Sequence, residues 1–274
     1  RGARSLATPT LRIISQLNMG SPDKVFTVDL LAVRVYAEAA DLYGDAVRET
    51  QAQLASAIEI KGAAAAILAT GNTQIDFLKQ LAELGGVDWS KVTLFHMDEY
   101  LGIAGDHPAS FRRYMKERVE ALLKPQAFHY LRGDSDEPIR ECERYEALLR
   151  AQPIDLCMLG LGENGHLAFN DPHVANFEDK RAVKIVSLDE TCRHQQVKQG
   201  HFPDIQNMPQ YALTITIPTL LSAEKVLCMA LDERKQSPVK RLLQGPISHD
   251  CPATALRRCE NATLLLDAAA AANV

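Results

Sequence analysis

The chain has 274 residues, 46% of them hydrophobic and 24% charged, with 30 lysines and arginines against 35 aspartates and glutamates for a formal net charge of -5. That length gives ample core for one large α/β domain or two small ones. The acidic balance argues against nucleic acid as a partner, which would demand a basic face, but not against a small anion in a local pocket, and no apolar run is long enough to span a bilayer.

The first nineteen residues, RGARSLATPTLRIISQLNM, carry three arginines and no acid, a faint likeness to a transit peptide, and they lack a secretory apolar segment. Residues 1–32 are therefore expected to be a loosely ordered N-terminal extension, and 33–274 a single α/β domain. Strand candidates follow in order: AAAAIL (63–68), KVTLFHM (91–97), IDLCMLG (154–160), AVKIVSL (182–188), ALTITI (212–217), KVLCMAL (225–231) and ATLLLD (262–267). Several are continuous apolar runs, as expected for strands covered on both faces of a parallel sheet. Helical patterns alternate with them, over 39–59, Thr73–Leu84, Ser110–Leu123, Pro138–Arg150 and Lys235–Leu243. Such alternation implies βα units and a layered α/β fold. The six cysteines include no C-x-x-C pair, which suits reduced thiols in an intracellular, cytoplasmic protein. His96, His166 and His173 lack metal-ligand spacing, so no metal is expected, and Arg257-Arg258 reads as a solvated pair.

Three loops at strand ends carry candidate chemistry. The stretch LGLGENGHLAFNDP (159–172) has G-x-G-x-x-G spacing after a buried strand. A dinucleotide site would also need a helix opening inside the glycines, and Asn170-Asp171-Pro172 stops any helix within two turns. What remains is a loop where open α/β sheets place ligands, in which His166 could shuttle a proton and Asp171 fix its tautomer. A histidine satisfying its own loop's backbone would look the same. KVTLFHM runs into Asp98-Glu99-Tyr100, two carboxylates that fit either a solvated loop or a catalytic base. AAAAIL runs into Ala69-Thr70-Gly71-Asn72-Thr73 with a helix opening near Thr73, either an anion site or an ordinary capped helix.

Taken together, TGNT (70–73), FHMDEYLGIAGDHPASF (95–111), LGLGENGHLAFNDP (159–172), PQYALTITIPTLLSAEKV (209–226) and the segment around Lys235 resemble the glucosamine-6-phosphate deaminase/isomerase family, relatives of the 6-phosphogluconolactonases. The resemblance implies a three-layer α/β/α sandwich around a mainly parallel, Rossmann-like sheet. It implies aldose–ketose isomerisation with ammonia release from a small sugar phosphate, and no metal or organic cofactor. In that scheme Asp98 is the base acting between C2 and C1, His166 opens the sugar ring, and Asp171 and Asn164 hold the histidine. Thr70, Gly71, Asn72, Thr73 and Lys235 would hold the phosphate, with Glu99 and Gly165 also beside the substrate. The family includes monomers and allosteric oligomers, and the sequence leaves that choice open.

Four departures from the family pattern stand out. Asn164 replaces a common aspartate, and Asp171 a glutamate. Asn72 and Gln74 replace a small residue and a proline of the phosphate loop. Gly200-His201-Phe202 occupies the place of a phosphate-binding arginine, for which Arg193 or Lys198 are candidate substitutes. Two further readings therefore stay open: a lactonase-like hydrolase or another sugar-phosphate isomerase on the same scaffold, and a non-catalytic sugar-phosphate binder.

Overall fold

A computed structural model describes residues 20–274 apart from 199 and 201; the N-terminal stretch 1–19 and His201 thus lie outside the described residues, as do the side chains of Asn72, Thr191, Cys192 and Gln195. In chain order, β1 (Lys24–Val28) and β2 (Leu31–Tyr36) form a hairpin, followed by α1 (Ala39–Lys61), β3 (Ala64–Leu68), α2 (Asn72–Leu84), β4 (Val92–His96) and β5 (Asp98–Tyr100). Helix α3 (Phe111–Met115) passes through a π-helical turn (Lys116–Glu120) into α4 (Ala121–Leu123). Then come β6 (Ala127–His129), α5 (Pro138–Arg150), β7 (Leu156–Gly160), β8 (Val183–Ser187), α6 (Glu190–Lys198), β9 (Tyr211–Ile215), α7 (Ile217–Leu221), β10 (Lys225–Ala230), α8 (Gln236–Gln244) and β11 (Ala262–Asp267).

Eight strands make the main sheet, in the order β1-β2-β11-β10-β7-β3-β4-β6. All its pairings are parallel except that of the β1–β2 hairpin. The continuous apolar strands are what that arrangement requires, because both faces are covered. Ala64, Ala66, Leu68, Leu156 and Met158 point into one core with Leu42 and Leu54 of α1, Phe77 and Leu81 of α2 and Met115 of α3. Their alternates Ala65, Ile67, Cys157 and Leu159 point into the other, with Tyr145 and Leu149 of α5 and Val239 and Leu242 of α8. Period-two alternation thus divides one sheet between two cores and produces the three layers.

Two expectations change. Residues 24–32, assigned to the extension, are part of the sheet: Lys24 to Val28 pair with Val35 to Leu31, and Leu31 is wholly buried. The hairpin is docked by Asp29, which ion-pairs with Arg257 at 2.6 Å, so Arg257 is not solvated but also donates to the carbonyl of Gly245 at 2.6 Å. The strands over 183–187 and 211–215 leave the main sheet, joining β5 in a small antiparallel sheet of order β5-β9-β8. Apolar runs report burial, not which sheet a strand joins.

Candidate active site

Strands β10, β7, β3 and β4 lie side by side and run the same way, with Met229 level with Gly160, Leu68 with Met158, and Leu68 with His96. The segments that leave their ends (Leu231–Lys235, Leu161–Asp171, Ala69–Thr73 and Met97–Tyr100) therefore emerge along one edge. This C-terminal edge is where open parallel sheets hold ligands.

At the tip of β4 the chain turns into β5, where Asp98 faces Thr214 of β9 and Glu99 faces Leu213. Successive residues of a strand point to opposite sides, and these two carboxylates have opposite fates. Glu99 is wholly buried and turns to the start of α3. Its carboxylate accepts from Ser110 Oγ at 2.7 Å and from the backbone N–H groups of Phe111 at 3.1 Å, Arg112 at 2.9 Å and Tyr100 at 2.9 Å. It closes the helix N-terminus that Ser110, the N-cap, leaves without a side-chain cap. Glu99 is thus a structural residue and does not face a ligand, contrary to the sequence expectation. Asp98 is 6% exposed, and its Oδ1 is enclosed with no hydrogen-bond partner among the described residues. Burial, with a smaller contribution from Glu99, pushes its carboxyl well above the usual range. A lone buried carboxyl, raised in this way, is suited to abstract a proton near neutral pH.

The loop after β7 is pinned to β9, the strand that pairs with β5. Phe169 N donates to Thr214 Oγ1 at 3.1 Å, on the residue opposite Asp98, and Asn170 Nδ2 donates to the Ile215 carbonyl at 2.9 Å. The Phe169 and Tyr100 rings lie 5.2 Å apart, on the side of β5 that Asp98 shares. Within the loop, His166 Nδ1 meets Asp171 Oδ1 at 3.0 Å, and Asn164 Nδ2 reaches the same oxygen at 2.8 Å. Burial would raise the Asp171 carboxyl, but the hydrogen bonds from His166 and Asn164 outweigh it and hold the group below its ordinary value. An ionised Asp171 fixes the proton of the imidazole on Nδ1 and leaves Nε2 for a ligand. Asn164 also accepts from the His166 backbone N–H at 3.0 Å, so the asparagine ties both ends of the pair. A Cβ on Gly162 would run into the His166 ring, so glycine is needed there for the imidazole to lie across the loop. Gly165 accepts from Ala253 N at 2.8 Å and anchors the loop's far side.

The third group is the start of α2. Gly71 is its N-cap at φ 122°, ψ 165°, a conformation open to glycine; among the described residues no side chain is seen to cap the helix, and its first turn has no acid. Unlike α3, this N-terminus has no carboxylate closing it among the described residues, the kind of helix start that can hold an anion. Thr70 and Thr73 are half-buried on either side, and Tyr114 Oη fixes the loop by donating to the Gly71 carbonyl at 3.0 Å. Lys235 enters from the tip of β10. Burial lowers its pKa, its strongest charged neighbour is Glu163 of the histidine loop, and no carboxylate of the described residues lies within ion-pair reach. Asp232 just before it sits at φ 74°, ψ 165°, a strained conformation for any residue but glycine. Asp267 at the end of β11 holds it there, accepting its N–H at 3.1 Å.

Arg193 does not replace an anion-binding arginine. Its guanidinium donates to the carbonyls of Pro209 at 3.1 Å, Ile205 at 2.8 Å and Met208 at 2.9 Å, clamping the loop before β9, while Lys198 is exposed at the end of α6. Sequence reasoning missed Thr214 and Tyr114 as site supports, because each has the look of an ordinary strand or core-helix residue.

The fold and the site define an α/β protein with a buried carboxyl, a carboxylate-oriented imidazole and a helix N-terminus carried by loops that leave one edge of a parallel sheet. Residues 37–265 match the family described as glucosamine-6-phosphate isomerases/6-phosphogluconolactonase, and the chain belongs to that family. A glucosamine-6-phosphate deaminase of an Exiguobacterium species is 35% identical over 204 residues, covering 74% of this chain and 78% of the relative. One from Shewanella woodyi is 34% identical over 215 residues, 76% of this chain and 79% of its own. Among solved structures, a monomeric glucosamine-6-phosphate deaminase superposes with a TM-score of 0.79 at 32% identity, covering 88% of this chain and 99% of that one. A 6-phosphogluconolactonase from Shewanella baltica, at 19% identity and TM-score 0.71 over 90% of this chain and all of that one, shares the fold.

Proposed function

We propose that the protein converts glucosamine 6-phosphate and water into fructose 6-phosphate and ammonia. The observation that carries this reading is Asp98, a buried carboxyl with an unpartnered oxygen, set opposite Thr214, the residue to which the loop of the His166–Asp171 pair is anchored. His166 Nε2, unprotonated because the imidazole proton is held on Nδ1 by Asp171, takes the proton of the C1 hydroxyl and delivers it to the ring oxygen as the C1–O bond of the ring breaks. Asp98 then takes the proton from C2 and returns one to C1, through an enolamine that leaves C2 as an iminium; water adds to it and ammonia departs, giving the C2 ketone. The α2 N-terminus, with Thr70, Gly71, Asn72 and Thr73, and the Lys235 ammonium hold the phosphate. Binding there, away from the reacting carbons, helps set C2 against the carboxylate. The activity named for the relatives, glucosamine-6-phosphate deaminase, supports the same substrate.

The five described cysteines are unpaired, and no described helix is long and apolar enough to cross a membrane, which supports a cytoplasmic setting. The test is release of ammonia and fructose 6-phosphate from glucosamine 6-phosphate by the purified protein. Folded protein without turnover overturns the proposal, and hydrolysis of 6-phosphogluconolactone in its place replaces it.

A further inference from the structure

Gln74 is the third residue of α2, and its backbone N–H closes the turn onto the Gly71 carbonyl at 3.1 Å. Its side chain is 1% exposed, yet Nε2 is enclosed without a hydrogen-bond partner among the described residues. Buried amide donors are almost always paired, so an unpaired one needs a reason. Nε2 lies 3.9 Å from where a Cβ on Gly160 would stand, over the tip of β7. The amide therefore lies between the start of α2 and the tip of β7, from which the loop that carries His166 leaves. A donor beside an uncapped helix start, where the helix field favours negative charge, matches an anionic oxygen better than a neutral one.

We infer that Gln74 is a ligand-binding residue of this chain, its Nε2 donating to a phosphoryl oxygen of a phosphomonoester held at the start of α2. The inference rests on the reading of that helix start as the phosphate cradle. It also gives the site a side-chain donor of its own, where Arg193 is engaged with backbone carbonyls. A glutamine here favours phosphate over a neutral sugar end, because a charged oxygen repays the amide for its burial more fully than a hydroxyl does.

The experiment compares wild type with Gln74→Met, which keeps the side-chain length without donors, and Gln74→Glu, which sets a carboxylate beside the anion. Binding of inorganic phosphate is measured by calorimetry, and KM and kcat for glucosamine 6-phosphate by ammonia release, with melting curves confirming that each variant is folded. The expected result is a phosphate Kd and a KM raised about tenfold in Gln74→Met, the scale of one hydrogen bond to a charged oxygen, with kcat within about threefold. Gln74→Glu should weaken phosphate further. Unchanged phosphate affinity in both folded variants overturns the inference while leaving turnover, and with it the proposed reaction, standing. Should wild type show no turnover, the reaction is lost, but the phosphate titrations still decide the role of Gln74.

Discussion

A carboxyl that is 6% exposed with one oxygen unpartnered weakens the fold whenever it ionises, because the charge gives up water and gains nothing in return. Asp98 has its pKa raised in the folded chain, chiefly by burial. Whatever stability its neutral form confers is complete below the unfolded-state pKa and is lost as pH rises through the folded one. Asp98→Asn removes that liability and is expected to raise Tm, by an increment that grows between mildly acid and alkaline pH in a series of melts. Equal melting of the two proteins at every pH would show that Asp98 carries no such burden. Activity has the opposite sign. A base works only when ionised, so kcat/KM should fall on acidification, with its midpoint above the ordinary carboxylate range of roughly 3.5–4.5. His96, two residues earlier, titrates far outside this window: burial and Arg112 push it down to about 3, and its Nε2 accepts from Leu131 N at 2.7 Å.

At the scale of elements, two helix starts show how one fold separates structure from function. Helix α3 has its N-terminus closed by Glu99, through four donors within 3.1 Å, whereas α2 has no side-chain cap among the described residues and no acid in its first turn. Glu99→Gln turns an all-acceptor group into one with donors facing donors, and is expected to cost about 2–4 kcal/mol of stability by the scale of buried charged hydrogen bonds. Chemical denaturation measures it, and a loss under about 0.5 kcal/mol, the size of an ordinary surface substitution, would contradict the capping role. Nothing in the sequence announced that role, since Glu99 and Ser110 are eleven residues apart and meet only in the tertiary fold. The α5 span, Pro138–Arg150, was legible to the residue because proline opens it and its apolar spacing is regular. By contrast β5 was not: Asp98-Glu99-Tyr100 is a strand whose polar residues are buried for reasons of chemistry and capping, which defeats an apolar pattern. The β1–β2 hairpin escaped because β1 is an exposed edge strand interrupted by Lys24 and Thr27, and its turn at Asp29, φ 51°, has no glycine to mark it.

Across the whole molecule, the legible part was the βα alternation, and with it the edge on which Asp98, His166, Thr70–Thr73 and Lys235 gather. The motifs around those residues pointed to their chemistry, but only the sheet order, β10-β7-β3-β4, says which loops are neighbours. Strand order is set by long-range packing and cannot be read from local spacing. The groups proposed to hold phosphate leave the tips of β10 and β3, and those proposed to move protons leave β7 and β4, so the two functions rest on different loops and should be separable. Lys235→Met is expected to raise KM for glucosamine 6-phosphate at least about tenfold with kcat little changed, since a charge that holds a non-reacting group contributes equally to ground and transition states. A loss confined to kcat would instead put the ammonium at the reacting carbons.

The convergence of these strand tips into one proton-transferring site is tested most directly by the kcat of Asp98→Asn for ammonia release from glucosamine 6-phosphate, in protein shown to bind inorganic phosphate as wild type does. A fall of roughly 10²–10⁴, the usual contribution of a positioned base, is expected with phosphate affinity unchanged. A variant that turns over at the wild-type rate would show that the buried carboxyl between β4 and β9 has no part in the reaction.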